Sequence, residues 1–444
     1  MKNAREQEFE CELFKLSKNV MFFVISDCTL LPFSVYWREN LKRRNALRSG
    51  GEMRQSKNYP DIFTFEDGRP VASAADWNAR ATELRGLYER TMYGFWRTGE
   101  EVSWTVSDEG AVMISFFGTI PAEGAKNLTL TVSANGRTAS WSLPVFLPDP
   151  ANAPMPEGGY PFVISMHGLP SMKEALDRGY AVFANNSSLV ASDDTKHLGA
   201  FYDLYPYAED PASQTGVLMA WAWGLSKILD AVTGGLGKEL GLNPDLSIVT
   251  GVSRYGKATA VAGAFDPRFR MVVPSCSGAG GLALYRYQSE GKTYDFSAVG
   301  ASDAYTYGKN EPLDCLQSDS ERGWFNDAFL AYKTPEELPL EQYELAALSA
   351  APDRCLFVIG SCTGEDWVNA PSMWKCYEET RRLFDFLGLS DRIACNFHRE
   401  GHAVLEEDFV KMLPYFERII CGRDVPVSLS DLQTSVFALP VNNN

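Results

Sequence analysis

The sequence predicts an α/β fold, a mostly parallel sheet flanked by helices on both faces (a three-layer sandwich) with antiparallel strands at its N-terminal edge. Three observations predict it. Downstream of residue 160, short apolar runs such as Ala181-Val182-Phe183, Ile248-Val249-Thr250, Met271-Val272-Val273 and Leu356-Phe357-Val358-Ile359 alternate with helical patterns, and parallel strands need a helix-length crossover between them. Upstream, residues 112–117, 128–132 and 141–146 read as successive antiparallel strands. With 444 residues, 45% of them hydrophobic, the chain can bury one large core.

Taken in order, residues 1–56 read as a flexible extension. Its apolar run at 20–26 is too short to span a bilayer, and Asp27 interrupts the continuation. It lacks a clear small-x-small cleavage site, which weakens a secretory reading. The basic segment 38–48 belongs to the same extension, with Met53 a candidate start. Residues 57–425 are expected to form one domain, because no linker, repeat or low-complexity tract divides them, and residues 426–444 a tail. Within the domain, residues 75–94 carry helical spacing, the proline- and glycine-rich stretch 148–159 is a loop, and residues 161–166 begin the parallel strands.

The next element carries chemistry. Gly251-Val252-Ser253-Arg254-Tyr255-Gly256-Lys257 follows directly on Leu246-Ser247-Ile248-Val249-Thr250 and leads into Ala258-Thr259-Ala260-Val261-Ala262. A serine among small residues between strand and helix is the context in which an α/β-hydrolase presents its nucleophile. The tight turn pushes Oγ of Ser253 out of the sheet edge, and the helix that follows points N–H groups at a developing oxyanion. The general pattern has glycine two places after the serine; here Tyr255 stands there and Gly256 follows one place later. Alone, the same residues also describe an ordinary βα turn with a serine helix cap.

Other segments narrow the choice. Residues 251–257 resemble the G-C-S-R-x-G-K motif of glucuronoyl esterases, carbohydrate esterase family 15, with Val252 where that family usually has cysteine. Trp221-Ala222-Trp223-Gly224, with Asp230-Ala231 closing the same helix, is similar to the family's W-A-W-G-x-x-x-x-x-D-A segment. Residues 264–269 and 274–281 follow the elbow as they do there, and Pro339-Leu340-Glu341-Gln342-Tyr343-Glu344-Leu345-Ala346-Ala347-Leu348 is similar to P-L-D-x-H-x-L-x-A-L. The motifs keep the family's order over about residues 57–420. The resemblance implies a serine hydrolase of (4-O-methyl)glucuronic acid esters, such as those between xylan and lignin alcohols, needing neither metal nor organic cofactor. A deacetylase of sugar acetates and a non-catalytic carbohydrate-binding relative are the alternatives.

A serine hydrolase needs a base, and there are 4 histidines. His402, in Glu400-Gly401-His402-Ala403-Val404, follows the strand-like 393–397 and precedes a helix, the chain order expected of the base; the family's final G-H pattern matches it. His398 is the local rival, placed at a strand end where a packed histidine is common. His197 reads as a polar loop residue and His167 as a structural residue beside the site. The orienting acid is less direct. Fungal-type relatives carry a glutamate in P-x-E-S-G-S-G-G, whereas this chain has Cys276 at that place, and a thiol there is neither reliably anionic nor a good acceptor. The loop Ser361-Cys362-Thr363-Gly364-Glu365-Asp366-Trp367, where many α/β-hydrolases place their acid, offers Glu365 first and Asp366 second.

Cations flank the nucleophile. Arg254 can offer an N–H and a guanidinium to the oxyanion, the role the family assigns to it, and Lys257 can donate to sugar hydroxyls. By resemblance, Trp324 is the pocket tryptophan and Arg286 lines the same pocket. For each cation the bland alternative is a surface ion pair.

Composition excludes other classes. A balance of 41 basic against 57 acidic residues, net −16, repels polyphosphate and anionic lipid, so neither nucleic acid nor membrane is expected as a partner. The resemblance implies a carbohydrate substrate, and a monomer is expected. The 9 cysteines, an odd number, show no C-x-x-C spacing, which points to free thiols in a reducing compartment, the cytoplasm, over a zinc site or a disulfide framework.

Overall fold

The alternating apolar runs become the 9 strands of one sheet. In chain order these are β1 (Glu101–Ser107), β2 (Lys126–Ala134), β3 (Arg137–Phe146), β4 (Tyr160–Met166), β5 (Ala181–Asn185), β6 (Leu242–Val252), β7 (Met271–Ser275), β8 (Cys355–Ser361) and β9 (Ile393–His398). Their spatial order is β1-β2-β3-β5-β4-β6-β7-β8-β9. Pairings from β1 to β5 along this order are antiparallel, and all those from β5 to β9 are parallel. This computed structural model describes residues 59–115, 118–166, 172–296, 304–434 and 437. The readings of residues 20–26, 38–48, Met53 and His167 lie outside the described residues.

Period-two burial creates the layers. In β4, Phe162 and Ile164 face one apolar cluster while Val163 faces a second; Val249 and Ile248 divide in the same way, as do Leu356 and Phe357. Four long helices contribute to the first cluster: α1 (Ala74–Tyr88), α2 (Val217–Ala231), α3 (Arg254–Phe265) and α4 (Ala370–Phe386). On the other face lie the short helix Met172–Asp177 and α5 (Glu406–Ile419), through Ala175, Phe409 and Met412. Helix α2 is buried almost all round, and a methyl on Gly224 would stand 2.8 Å from Val190. Trp221 and Trp223 are fully buried there, each contributing at least the ~1.5–3 kcal/mol of a large apolar side chain.

Two expected elements are corrected. Residues 112–115 do not join the main sheet; Val112–Ser115 pairs with Gly118–Pro121 as a separate two-stranded ribbon. The outermost antiparallel strand is instead β1, whose alternating half-buried pattern includes Trp104, held by an indole hydrogen bond to Glu239 at 2.9 Å. The expected helix at 75–94 divides into α1, capped by Ser73, and a π-turn over Glu89–Tyr93.

The parallel half positions the site. Strands β6, β7, β8 and β9 are consecutive neighbours, and their carboxyl ends, at Val252, Ser275, Ser361 and His398, open on one edge of the sheet, where α/β folds carry their ligands.

Candidate active site

Ser253 sits at the junction of β6 and α3 with φ 61° and ψ −128°, a conformation costly for a residue with a side chain. The surroundings hold it there. Its N–H donates to Ser275 O at 2.9 Å, and its carbonyl accepts from Lys257 N at 3.0 Å. A Cβ on Gly251 would meet Tyr255 O at 2.7 Å, and one on Gly256 would meet Ser275 O at 2.4 Å. The close approach to β7 therefore falls one residue later than the general pattern has it, which is why Tyr255 is accommodated and Gly256 carries the requirement.

Across the sheet edge, Nδ1 of His402 lies 2.8 Å from Oε2 of Glu365. Glu365 is 1% exposed, and its other oxygen accepts from Ser361 N at 2.8 Å. A carboxylate beside Nδ1 fixes the proton on that nitrogen and leaves Nε2 as the basic one. Strand register makes this pair: Ser361 of β8 lies opposite His398 of β9, Cys362 N donates to His398 O at 2.7 Å, and Gly401 N donates to Ser361 Oγ at 3.0 Å. The two loops touch at Gly364 and Gly401, whose φ angles are 76° and 74°.

The neighbouring carboxylate goes elsewhere. Asp366 accepts from Tyr305 OH at 2.6 Å and from Gly308 N at 2.9 Å, tying down the 305–308 segment. His398 accepts from Glu400 N through Nδ1, so its Nε2–H donates to Ala403 O at 3.0 Å and braces the His402 loop. Cys276 donates to the same carbonyl at 3.5 Å, and its sulfur lies within 4.8 Å of both the Glu365 carboxylate and a His402 ring nitrogen. Burial, then the Glu365 charge, push its thiol well above the ordinary range, so Cys276 is a neutral neighbour of the pair. His197 is not simply a polar loop residue: its ring stacks on Tyr207 at 3.6 Å, and burial holds its pKa down.

On the other side of Ser253, Arg254 Nη1 donates to Asp193 Oδ2 at 2.7 Å, and its guanidinium stands 5.0 Å over the Trp324 ring. Lys257 is buried; its ammonium donates to Ala279 O at 2.5 Å and to Glu311 at 3.0 Å, 5.6 Å from the Trp324 ring. Trp324 is 3% exposed, with its indole N–H on Asp193 Oδ1. The expectation for Arg286 is corrected: its guanidinium binds Leu338 O, Leu340 O and the buried Glu341, clamping the 338–341 segment instead of lining a pocket.

Sequence reasoning missed three residues here. A cavity of 490 Å³ is lined by Lys309, Asn310, Glu311, Cys315, Glu321 and Trp367, among others. Trp367 is 47% exposed, and its ring lies 5.1 Å from that of His402, so the cavity wall runs from beside His402 to the carboxylate that holds Lys257. Trp367 could have been noticed, because it follows the acid by two places. Glu311 and Asp193 stand in no motif.

A family model described as "Glucuronyl esterase, fungi" matches residues 130–388, well over half of the chain. The chain belongs to the glucuronoyl esterase family. This family member is 47% identical over 399 residues to a multidomain esterase of Ruminococcus flavefaciens, covering 88% of this chain and 50% of the relative. It is 30% identical over 335 residues to a 4-O-methyl-glucuronoyl methylesterase of Podospora anserina, covering 74% and 60%. The chain thus spans about half the length of the first of these relatives and three fifths of the second. Its structure is similar to a carbohydrate esterase family 15 glucuronoyl esterase from Caldicellulosiruptor kristjansonii, with 36% identity, TM-score 0.74 and coverage of 88% and 97%. It is also similar to the glucuronoyl esterase catalytic domain of Hypocrea jecorina, with 26% identity, TM-score 0.64 and coverage of 85% and 92%. The fold is that of the α/β-hydrolase glucuronoyl esterases, as the elbow and the parallel strands led one to expect.

Proposed function

We propose that residues 57–425 form a carboxylic ester hydrolase that cleaves esters of (4-O-methyl)glucuronic acid at the uronate carboxyl, including lignin–glucuronoxylan links. Ser253 Oγ attacks the ester carbonyl while Nε2 of His402 takes its proton; the tetrahedral intermediate collapses, and the imidazolium returns the proton to the departing alcohol. Water, deprotonated by the same nitrogen, then releases the uronic acid from the acyl-enzyme and restores Ser253. Glu365 holds the Nδ1 proton and stabilises the imidazolium without taking that proton. Arg254 and the first N–H groups of α3 serve the oxyanion. The pyranose occupies the cavity, where Glu311, with Lys257 behind it, meets its hydroxyls and the Trp367 indole offers a face to the ring. Trp324 supports Arg254 from below, a buried role in place of direct sugar contact.

One observation carries the reading: the buried Glu365 on Nδ1 of His402 at 2.8 Å, at the ends of β8 and β9, on the same side of the sheet as the end of β6 that presents Ser253 and separated from it by β7. Parallel assays of benzyl glucuronate and an acetylated xyloside test it. Hydrolysis of the glucuronate in clear preference supports the proposal, equal rates favour a deacetylase, and inactivity on both favours the non-catalytic relative.

A further inference from the structure

Arg254 begins α3 on a long, rotamer-rich side chain that is 35% exposed, yet donation to an oxyanion requires its guanidinium in one place before charge develops. One carboxylate supplies that constraint. Oδ2 of Asp193 accepts from Arg254 Nη1 at 2.7 Å, while Oδ1 accepts from Trp324 Nε1 at 2.7 Å, and the guanidinium stands 5.0 Å over that same indole. Both oxygens being engaged, Asp193 cannot swing without losing a partner. A plain surface ion pair has no such second tether.

The loop that carries Asp193 is itself fixed. Ser192 N donates to Leu198 O at 2.7 Å, Leu198 N returns a bond to Ser192 Oγ at 3.1 Å, and the buried Trp221 indole donates to Ala191 O at 2.9 Å. Gly323, beside Trp324, approaches so closely that a Cβ would stand 2.5 Å from Asp194 O. Two segments 131 residues apart are therefore packed backbone against backbone, with the carboxylate between them and the residue after the nucleophile on its far side.

We propose that Asp193 is a positioning residue for the hydrolysis, holding the Arg254 guanidinium on the Trp324 ring where it meets the oxyanion. This inference rests on Arg254 being the oxyanion donor. Benzyl glucuronate kinetics on the wild type, Asp193→Asn, Arg254→Ala and the double variant test it. Asp193→Asn is expected to lower kcat by about 10- to 100-fold with KM within about threefold, the split of an interaction made in the transition state. Added to Arg254→Ala, it should cost less than about twofold, since the group it positions is gone. Trp324→Phe, which keeps an aromatic face and removes the N–H, should lower kcat in the same direction by a smaller factor, and it carries the test if Asp193→Asn does not fold. Wild-type kcat in Asp193→Asn, or losses that simply multiply in the double variant, would overturn the inference while leaving the esterase reading intact. Wild-type kcat in Arg254→Ala would remove the oxyanion assignment and the Asp193 role together.

Discussion

The end of β6 and the paired ends of β8 and β9 face the same sheet edge, but they are built differently. The elbow is nearly local: Ser253 holds its strained backbone because Gly251 admits Tyr255, Gly256 admits Ser275 of the adjacent β7 and α3 follows at once, so about 1–3 kcal/mol of strain is offset within one strand–turn–helix unit and its neighbouring strand. The acid–base side is assembled at a distance. Glu365 and His402 are 37 residues apart and meet because Ser361 pairs with His398 across two parallel strands. A local device survives small changes elsewhere, whereas a pair set by register depends on every contact that holds the two loops together.

The largest expected effect breaks the local side. Ser253→Ala should reduce kcat on benzyl glucuronate by about 10⁴-fold or more with an unchanged thermal midpoint, because the hydroxyl contributes little to packing; a substantial residual rate would remove Ser253 from the mechanism. His402→Ala should be similarly crippling and His398→Ala milder, acting through the brace on Ala403. The reverse ranking, measured in the same assay, would transfer the base role.

Glu365→Gln comes next, with kcat lowered by about 10²- to 10⁴-fold, as when a base loses its orienting carboxylate. Asp366→Asn should spare kcat and instead lower stability by about 0.5–1.5 kcal/mol per weakened hydrogen bond, read as a shifted denaturation midpoint. If Asp366→Asn proved the more damaging to kcat, the register argument would fail. Cys276→Glu in the Glu365→Gln background sharpens the contrast: the Cys276 sulfur already lies within 4.8 Å of a His402 ring nitrogen, so a carboxylate there should restore part of the lost kcat. No recovery would mean that only the β8 end can orient the base.

The smallest effect concerns the cavity wall between the two regions. Burial and then the Glu311 charge raise the Glu321 carboxyl to about 7, against the pull of Lys257 and Arg254. Between the ordinary carboxylate value and about 7, the folded chain binds this proton and the unfolded chain does not. Its stabilising contribution is therefore complete at acid pH and is lost as pH rises toward neutrality. Thermal midpoints from pH 4.5 to 7.5 should show a decline that Glu321→Gln flattens; an identical profile in the variant would deny that Glu321 is the titrating group.

Sequence alone determined the α/β class, the helices around the parallel strands, the family and the elbow at Ser253, because each is written in residues adjacent in the chain or in a short period that burial imposes. It also singled out His402 from its order along the chain and the 361–367 loop with Glu365 and Asp366, and the fold brings His402 and Glu365 together. It misplaced the first antiparallel strand, since the apolar run at 112–115 and the alternating β1 are both strand-like and only pairing distinguishes them. Only the tertiary structure put Glu365 against His402 and Asp366 against Tyr305 and Gly308, turned Arg286 inward onto Glu341, set Trp367 beside His402, and brought Asp193 to Arg254. Adjacent carboxylates are chemically alike in a sequence; burial and strand register, which set the partner each one meets, exist only once the sheet has formed.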